Sequence, residues 1–174
     1  MKNYFEIFGL APAYALDLMH LDSAYRDIQS KIHPDRYANA GDAERRASMQ
    51  MTTQVNEAYR TLKSPVQRAI YLLALNGVDA GFETNTAMPR DFLVEQMELR
   101  EKLEEAKSGS DLDVISRDLA VARRAIENQI QAKIDGEHDY AAARDLVRKL
   151  MFLERFGEDI DAAHERIEMQ APGS

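Results

Sequence analysis

Tyr25-Arg26-Asp27-Ile28-Gln29-Ser30-Lys31-Ile32-His33-Pro34-Asp35-Arg36-Tyr37 is the stretch on which the reading of this chain turns. It closes a run in which Leu18, Leu21, Tyr25, Ile28 and Ile32 recur at steps of 3, 4, 3 and 4. That is the spacing of one helix face, and Asp17 stands where it can cap the first free amides. Pro34 disfavours the α conformation at His33 and has no amide hydrogen, so the helix should end there. Ala47, Met51, Val55, Ala58 and Leu62 form the next apolar stripe. Two such helices lie antiparallel with stripes facing, and His33-Pro34-Asp35 begins the exposed loop that joins them.

Short helices should flank this pair. Ser64-Pro65-Val66-Gln67 reads as a capping box with proline at the first helical position, opening a helix through Leu72 and Leu75 that stops at Asn76-Gly77. Asn3-Tyr4-Phe5-Glu6-Ile7-Phe8 supplies one or two turns with aromatic rings to bury, ended by Gly9 and Pro12.

Charge divides the chain of 174 residues. Residues 1–77 hold 9 basic and 8 acidic side chains, net +1, and residues 78–174 hold 13 and 22, net −9, which together give the formal −8. The break falls in Gly77-Val78-Asp79-Ala80-Gly81-Phe82-Glu83-Thr84-Asn85-Thr86-Ala87-Met88-Pro89, which has no helical repeat. The expected organisation is therefore all-α: a helical hairpin with flanking short helices over 1–77, a linker over 78–88, and a three-helix bundle over 89–170.

In that bundle Pro89 opens a helix to about Lys107, and Ser108-Gly109-Ser110 breaks it. Leu112, Ile115, Leu119, Ala122, Ile126, Ile130 and Ile134 trace the second helix, to Asp135-Gly136. The third starts near Asp139 and carries Ala143, Leu146, Leu150, Leu153 and Ile160 to about Met169.

At 100° per residue, Phe92, Leu99, Leu103 and Ala106 share the core direction of the first bundle helix. Leu93 and Met97 point about 100° and 140° away and Val94 about 200°, with Arg100 and Glu101 among them. Phe152 lies roughly 160° from the stripe through Leu150 and Leu153, near Arg148 and Arg155. A partner surface is one reading of these residues. The other is that Leu93 and Met97 broaden the core or pack on the first module, with Phe152 one of the scattered exposed apolar side chains.

Absences exclude much chemistry. With no cysteine, the chain has no disulfide, no thiol nucleophile and no Cys-held zinc or iron–sulfur cluster. The acidic balance argues against nucleic acid as a partner, since phosphate binding needs a basic footprint. The longest run without a polar side chain, residues 69–75, is far short of a membrane span, and the N-terminus has no signal-peptide pattern. His20, His33, His138 and His164 fit no helical zinc spacing, and the motifs of hydrolases, P-loops and dinucleotide sites are missing. His33 with Asp35 leaves a metal-dependent helical enzyme as a distant alternative. A plain turn is another, in which Pro34 ends the helix and Asp35 makes an Asx-type hydrogen bond.

A basic helix, an exposed His-Pro-Asp and a second antiparallel helix resemble the J-domain family. Residues 4–10 resemble its opening helix, 25–37 its second helix and loop, and 55–62 its third. No Gly/Phe-rich segment or Cys-rich zinc domain follows. Asp91-Phe92-Leu93-Val94-Glu95-Gln96-Met97-Glu98-Leu99-Arg100-Glu101 and Val147-Arg148-Lys149-Leu150-Met151-Phe152-Leu153 resemble the HscB family, J-type co-chaperones of iron–sulfur cluster assembly.

The resemblance implies two partners and no cofactor. The DnaK-type chaperone HscA would be met by His33, Pro34 and Asp35, with Arg26, Lys31 and Arg36 facing an acidic surface, and its ATPase stimulated. The cluster scaffold IscU would be bound by Leu93, Val94, Met97, Glu98, Arg100, Glu101 and Phe152. Six of these seven are the off-core residues or charged neighbours found by helix angle; Glu98 is the addition. A J-domain co-chaperone for another client is the nearest alternative, and a structural adaptor a further one. Lacking the N-terminal Cys-rich zinc segment of some eukaryotic members, the chain is expected to be of bacterial type and cytoplasmic. It is also expected to be a monomer, although the apolar patch edged by Leu93 and Met97 could support self-association.

Overall fold

A computed structural model describes residues 1–81 and 88–171. The expected linker over 78–88 lies largely in 82–87, outside the described residues. The helices are α1 (Tyr4–Ile7), α2 (Leu18–Ile32), α3 (Asp42–Lys63), α4 (Pro65–Leu75), α5 (Arg90–Glu105), α6 (Gly109–Gln131) and α7 (Tyr140–Gln170), with a 3-10 turn at Pro34–Tyr37 and a π turn at Ala132–Gly136. Among the described residues there is no strand, so the all-α class expected from the repeats is the one observed. No described helix is long and apolar enough to cross a membrane. The chain forms two compact units, Met1–Leu75 and Asn76–Ser174.

The first unit is built on the α2/α3 hairpin. Asp17 accepts hydrogen bonds from the amides of Met19 and His20, starting α2 as expected. Leu21, Val55, Ala58 and Leu62 are buried between the helices, closed over by Val66, Ala69, Leu72 and Leu73 of α4 and by Phe5 of α1. The Tyr4 ring stacks on Tyr71 at 4.4 Å, and the Tyr4 amide donates to the Tyr71 hydroxyl. Arg68 is buried, and its guanidinium donates to the carbonyls of Tyr14 and Leu62, fastening the α1–α2 connection to the α3–α4 corner.

The outer ends of both hairpin stripes depart from expectation. Leu18, Ala47 and Met51 are exposed, and on α3 Ser48 is buried in place of Ala47 and Met51. A hydroxyl takes the inward position because a helix end nearby needs a hydrogen-bond donor.

In the second unit Ser108 caps α6 in a capping box whose acceptor is Asp111, and the Asp111 carboxylate also accepts from the Lys107 amide. Those bonds, the Lys107 amide first, hold the Asp111 carboxyl below its usual range. Leu112, Ile115 and Leu119 of α6 form one core with Leu153, Phe156, Ile160 and Ala163 of α7, and Leu99, Leu103 and Ala106 close it from the α5 side. Val147, Phe156 and Ala163, outside the expected α7 stripe, are buried too.

Candidate functional site

Two sets of residues stand apart from core packing, one in each unit. In the first unit α2 ends at Ile32, and His33 leaves the helix at φ −53°, ψ 132°, the extended conformation a following proline enforces. The Ile32 carbonyl, left without a partner in its own helix, accepts from Ser48 Oγ of α3 at 2.7 Å. Thr52 Oγ1 is 3.4 Å from the same oxygen but 2.8 Å from the Ser48 carbonyl, and its single hydrogen goes to the nearer acceptor. Ser48 therefore holds the base of the loop.

The tripeptide stands above that anchor. Asp35 has a side chain 92% exposed and that of His33 is 51% exposed. The turn is closed by the Asp35 amide donating to His33 Nδ1 at 3.3 Å and by the Arg36 amide donating to the His33 carbonyl at 3.0 Å. This corrects the Asx-type reading: the histidine ring caps the turn, and the Asp35 carboxylate is turned outward. Nδ1 is also 3.4 Å from Asp35 Oδ2. With one lone pair or one hydrogen at Nδ1, the ring accepts from the amide or donates to the carboxylate, never both.

Below the loop a polar ladder joins α2 to α3. The rings of Tyr25 and Tyr59 stack at 4.0 Å, Tyr25 donates to Asn56 Oδ1, Gln29 donates to Tyr25, and Tyr59 and Lys63 both donate to Asp22. Lys63 and then Tyr59 hold the Asp22 carboxyl below the usual carboxylate range, and Asp22 raises Lys63 in return. Sequence reasoning missed this ladder. Its signal was present: Asp22, Tyr25 and Gln29 have the same 3, 4 spacing as Asn56, Tyr59 and Lys63, and the helices run antiparallel.

Arg26, Lys31 and Arg36 are all exposed. Arg26 Nε donates to the Asp22 carbonyl one turn back. Five residues apart on one helix, Arg26 and Lys31 differ by about 140° in direction, so they do not share a face.

The second set lies on α5. Phe92 is buried, while Leu93, Val94 and Met97 are 44%, 47% and 64% exposed, with Glu98, Arg100 and Glu101 exposed beside them. The helix thus has an outward apolar face bordered by charge. Phe152 requires a correction. It is half-buried, edge-on to Phe92 at 5.5 Å and stacked against Phe156 at 6.2 Å. The 160° offset was real, but α7 packs against α5 as well as α6, so its far side is covered too. Arg100 covers the Phe152 ring at 5.9 Å and Lys149 the Phe92 ring at 5.5 Å. These cations link the outward face to the aromatic pair beneath it. Among the described residues no three His, Cys, Asp or Glu side chains are grouped to hold a metal ion.

Residues 3–71 match the family model of the DnaJ domain, and residues 88–161 that of the HSCB C-terminal oligomerisation domain. The Co-chaperone protein HscB homolog of Aromatoleum aromaticum is 45% identical over 170 residues, 96% of each chain. The chain belongs to the HscB family. Another HscB homolog, from Burkholderia thailandensis, is 48% identical over 169 residues, covering 95% of this chain and 96% of the relative. Among solved structures, HscB from Vibrio cholerae superposes with a TM-score of 0.84 at 34% identity, over 95% of this chain and 99% of that one. Human co-chaperone HscB superposes with a TM-score of 0.89 at 28% identity, over 93% and 82%. The chain is thus an HscB co-chaperone with an N-terminal J-domain. His33-Pro34-Asp35 lies within the matched J-domain, and the α5 face and Phe152 within the matched HscB C-terminal domain.

Proposed function

We propose that this co-chaperone serves iron–sulfur cluster assembly by carrying the scaffold IscU to the chaperone HscA and stimulating its ATPase. In this reading residues 1–77 act on HscA, 78–88 link, and 89–170 hold the client, in the bacterial cytoplasm. The observation that carries it is the His33-Pro34-Asp35 loop, fixed from below at Ile32 and exposed above, in a chain of the HscB family. Asp35 pairs with an arginine of the chaperone, and Arg26 and Lys31 of α2 and Arg36 of the 3-10 turn meet its acidic surface.

The physics is a shift of population. The loop must bind the hydrolysis-competent arrangement of the chaperone more tightly than the resting one, because equal affinity for both would change nothing. No side chain of this protein need reach the phosphates. The client is held by Leu93, Val94 and Met97, with Glu98, Arg100 and Glu101 around them and Phe152 supporting Arg100.

The test is the steady-state ATPase rate of HscA with this protein, with and without IscU. Stimulation that IscU increases is expected. No stimulation overturns the J-domain mechanism, whereas stimulation without binding of IscU transfers the mechanism to another client.

A further inference from the structure

We infer that Met97 is a site of reversible oxidation, and that its sulfoxide weakens the client-binding face of α5. The consequence for docking rests on the reading of that face as the scaffold surface. Because the chain has no cysteine, its oxidisable sulfurs are thioethers. Met1, Met19, Met49, Met51, Met97 and Met169 are well exposed, but only Met97 is on α5, beside Leu93 and Val94. The others lie in the J-domain unit or near the end of α7.

The chemistry needs a peroxide as co-reactant. A lone pair of the Met97 sulfur attacks one peroxide oxygen, an S–O bond forms as the O–O bond breaks, and the second oxygen takes up the proton and leaves as water or an alcohol. Sulfur loses two electrons and the peroxide gains them. The product replaces a flexible apolar side chain with a polar one, and a methionine sulfoxide reductase reverses it.

The surroundings decide why this matters at Met97. A sulfoxide oxygen buried against a partner needs a donor, and the flanking Glu98 and Glu101 carboxylates only accept. Arg100, the donor one turn on, is already placed over the Phe152 ring. To reach the sulfoxide it would have to leave that ring, so the face changes either way. A bound client also shields the sulfur, so oxidation acts on the unloaded co-chaperone.

The experiment treats the full chain with hydrogen peroxide, locates oxidised methionines by peptide mass spectrometry and titrates the product with IscU. Affinity should fall about tenfold or more, the effect of burying one polar group without its partner. Helical circular dichroism should be unchanged, and methionine sulfoxide reductase should restore binding. Met97→Leu, whatever its starting affinity, should lose none of it on the same treatment although its other exposed methionines oxidise. Full affinity with Met97 oxidised, or equal loss in Met97→Leu, overturns the inference. An untreated protein that does not bind IscU overturns the client assignment and, with it, the docking consequence. That failure is visible before any peroxide is added.

Discussion

The His33 loop and the outward face of α5 are both exposed to solvent, and they are built in opposite ways. The loop is a placed object: Ser48 holds the Ile32 carbonyl, the Tyr25–Tyr59 stack and the Asp22–Lys63 pair keep α2 against α3, and His33 and Asp35 stand exposed above them. The face of α5 is the uncovered side of a helix whose other side is fastened through Phe92. A site made by placement depends on side chains that never touch the partner. A site made by exposed area depends on the residues that are buried when the partner arrives.

The largest break in that comparison is Asp35→Ala. It should abolish stimulation of the HscA ATPase and leave IscU binding intact, because the Asp35 side chain is 92% exposed beside the His33 ring and belongs to the other unit from the α5 face. Full stimulation by this variant would refute the assigned role of the loop.

Next is the reverse experiment. Leu93→Ala removes exposed apolar area and should weaken IscU binding by about 2 kcal/mol, some thirtyfold, while the intrinsic stimulation of HscA without IscU stays the same. Phe152→Ala should weaken IscU binding as well. Being half-buried on Phe92 and Phe156, it should also cost the C-terminal unit about 2–4 kcal/mol, so denaturant unfolding separates its two effects.

Ser48→Ala probes placement without touching the loop. Loss of the bond to Ile32 should cost about 1 kcal/mol of stability, measured by denaturant unfolding, and should lower ATPase stimulation more than IscU binding. Equal effects on both activities would mean that the anchor does not orient the loop.

The smallest effect concerns pH. Asp22 is held below its usual range, so its contribution to stability is present above about pH 4, the unfolded carboxyl value, and is lost as pH falls through the lower folded value. Lys63 is raised, so its share is present below its unfolded value and is lost only in strong alkali. Lys63→Met should therefore shift the acid-unfolding midpoint of the J-domain unit slightly upward. The pair is exposed to solvent, which keeps the shift small.

These contrasts also explain what could be read from the sequence. Pro34 acts on its immediate neighbour, so the end of α2 and the position of the loop were legible. Leu93, Val94 and Met97 lie opposite a core side that α5 presents only once, so helix angle found them. The same arithmetic misled at Phe152 because α7 is covered by two helices, and a single stripe cannot describe a helix buried on two sides. Ser48 was passed over in favour of Ala47 and Met51 because hydrophobic periodicity ignores a serine. Its burial answers the demand of the Ile32 carbonyl, which appears only when α3 folds back. The Tyr25–Tyr59 ladder was hidden for the same reason: each half has an ordinary helical spacing, and only the pairing gives it meaning.

The bond from the Asp35 amide to His33 Nδ1 fixes more than the shape of the turn. While that nitrogen accepts, the hydrogen of a neutral imidazole sits on Nε2, so the backbone bond favours that tautomer over the one in which Nδ1 donates to Asp35. The loop then offers a hydrogen-bond donor at Nε2 next to an anionic acceptor at Asp35, a two-letter word whose first letter is written by the chain itself. An asparagine at 33 could close the turn through its side-chain oxygen, but its amide would not reach as far as Nε2 does.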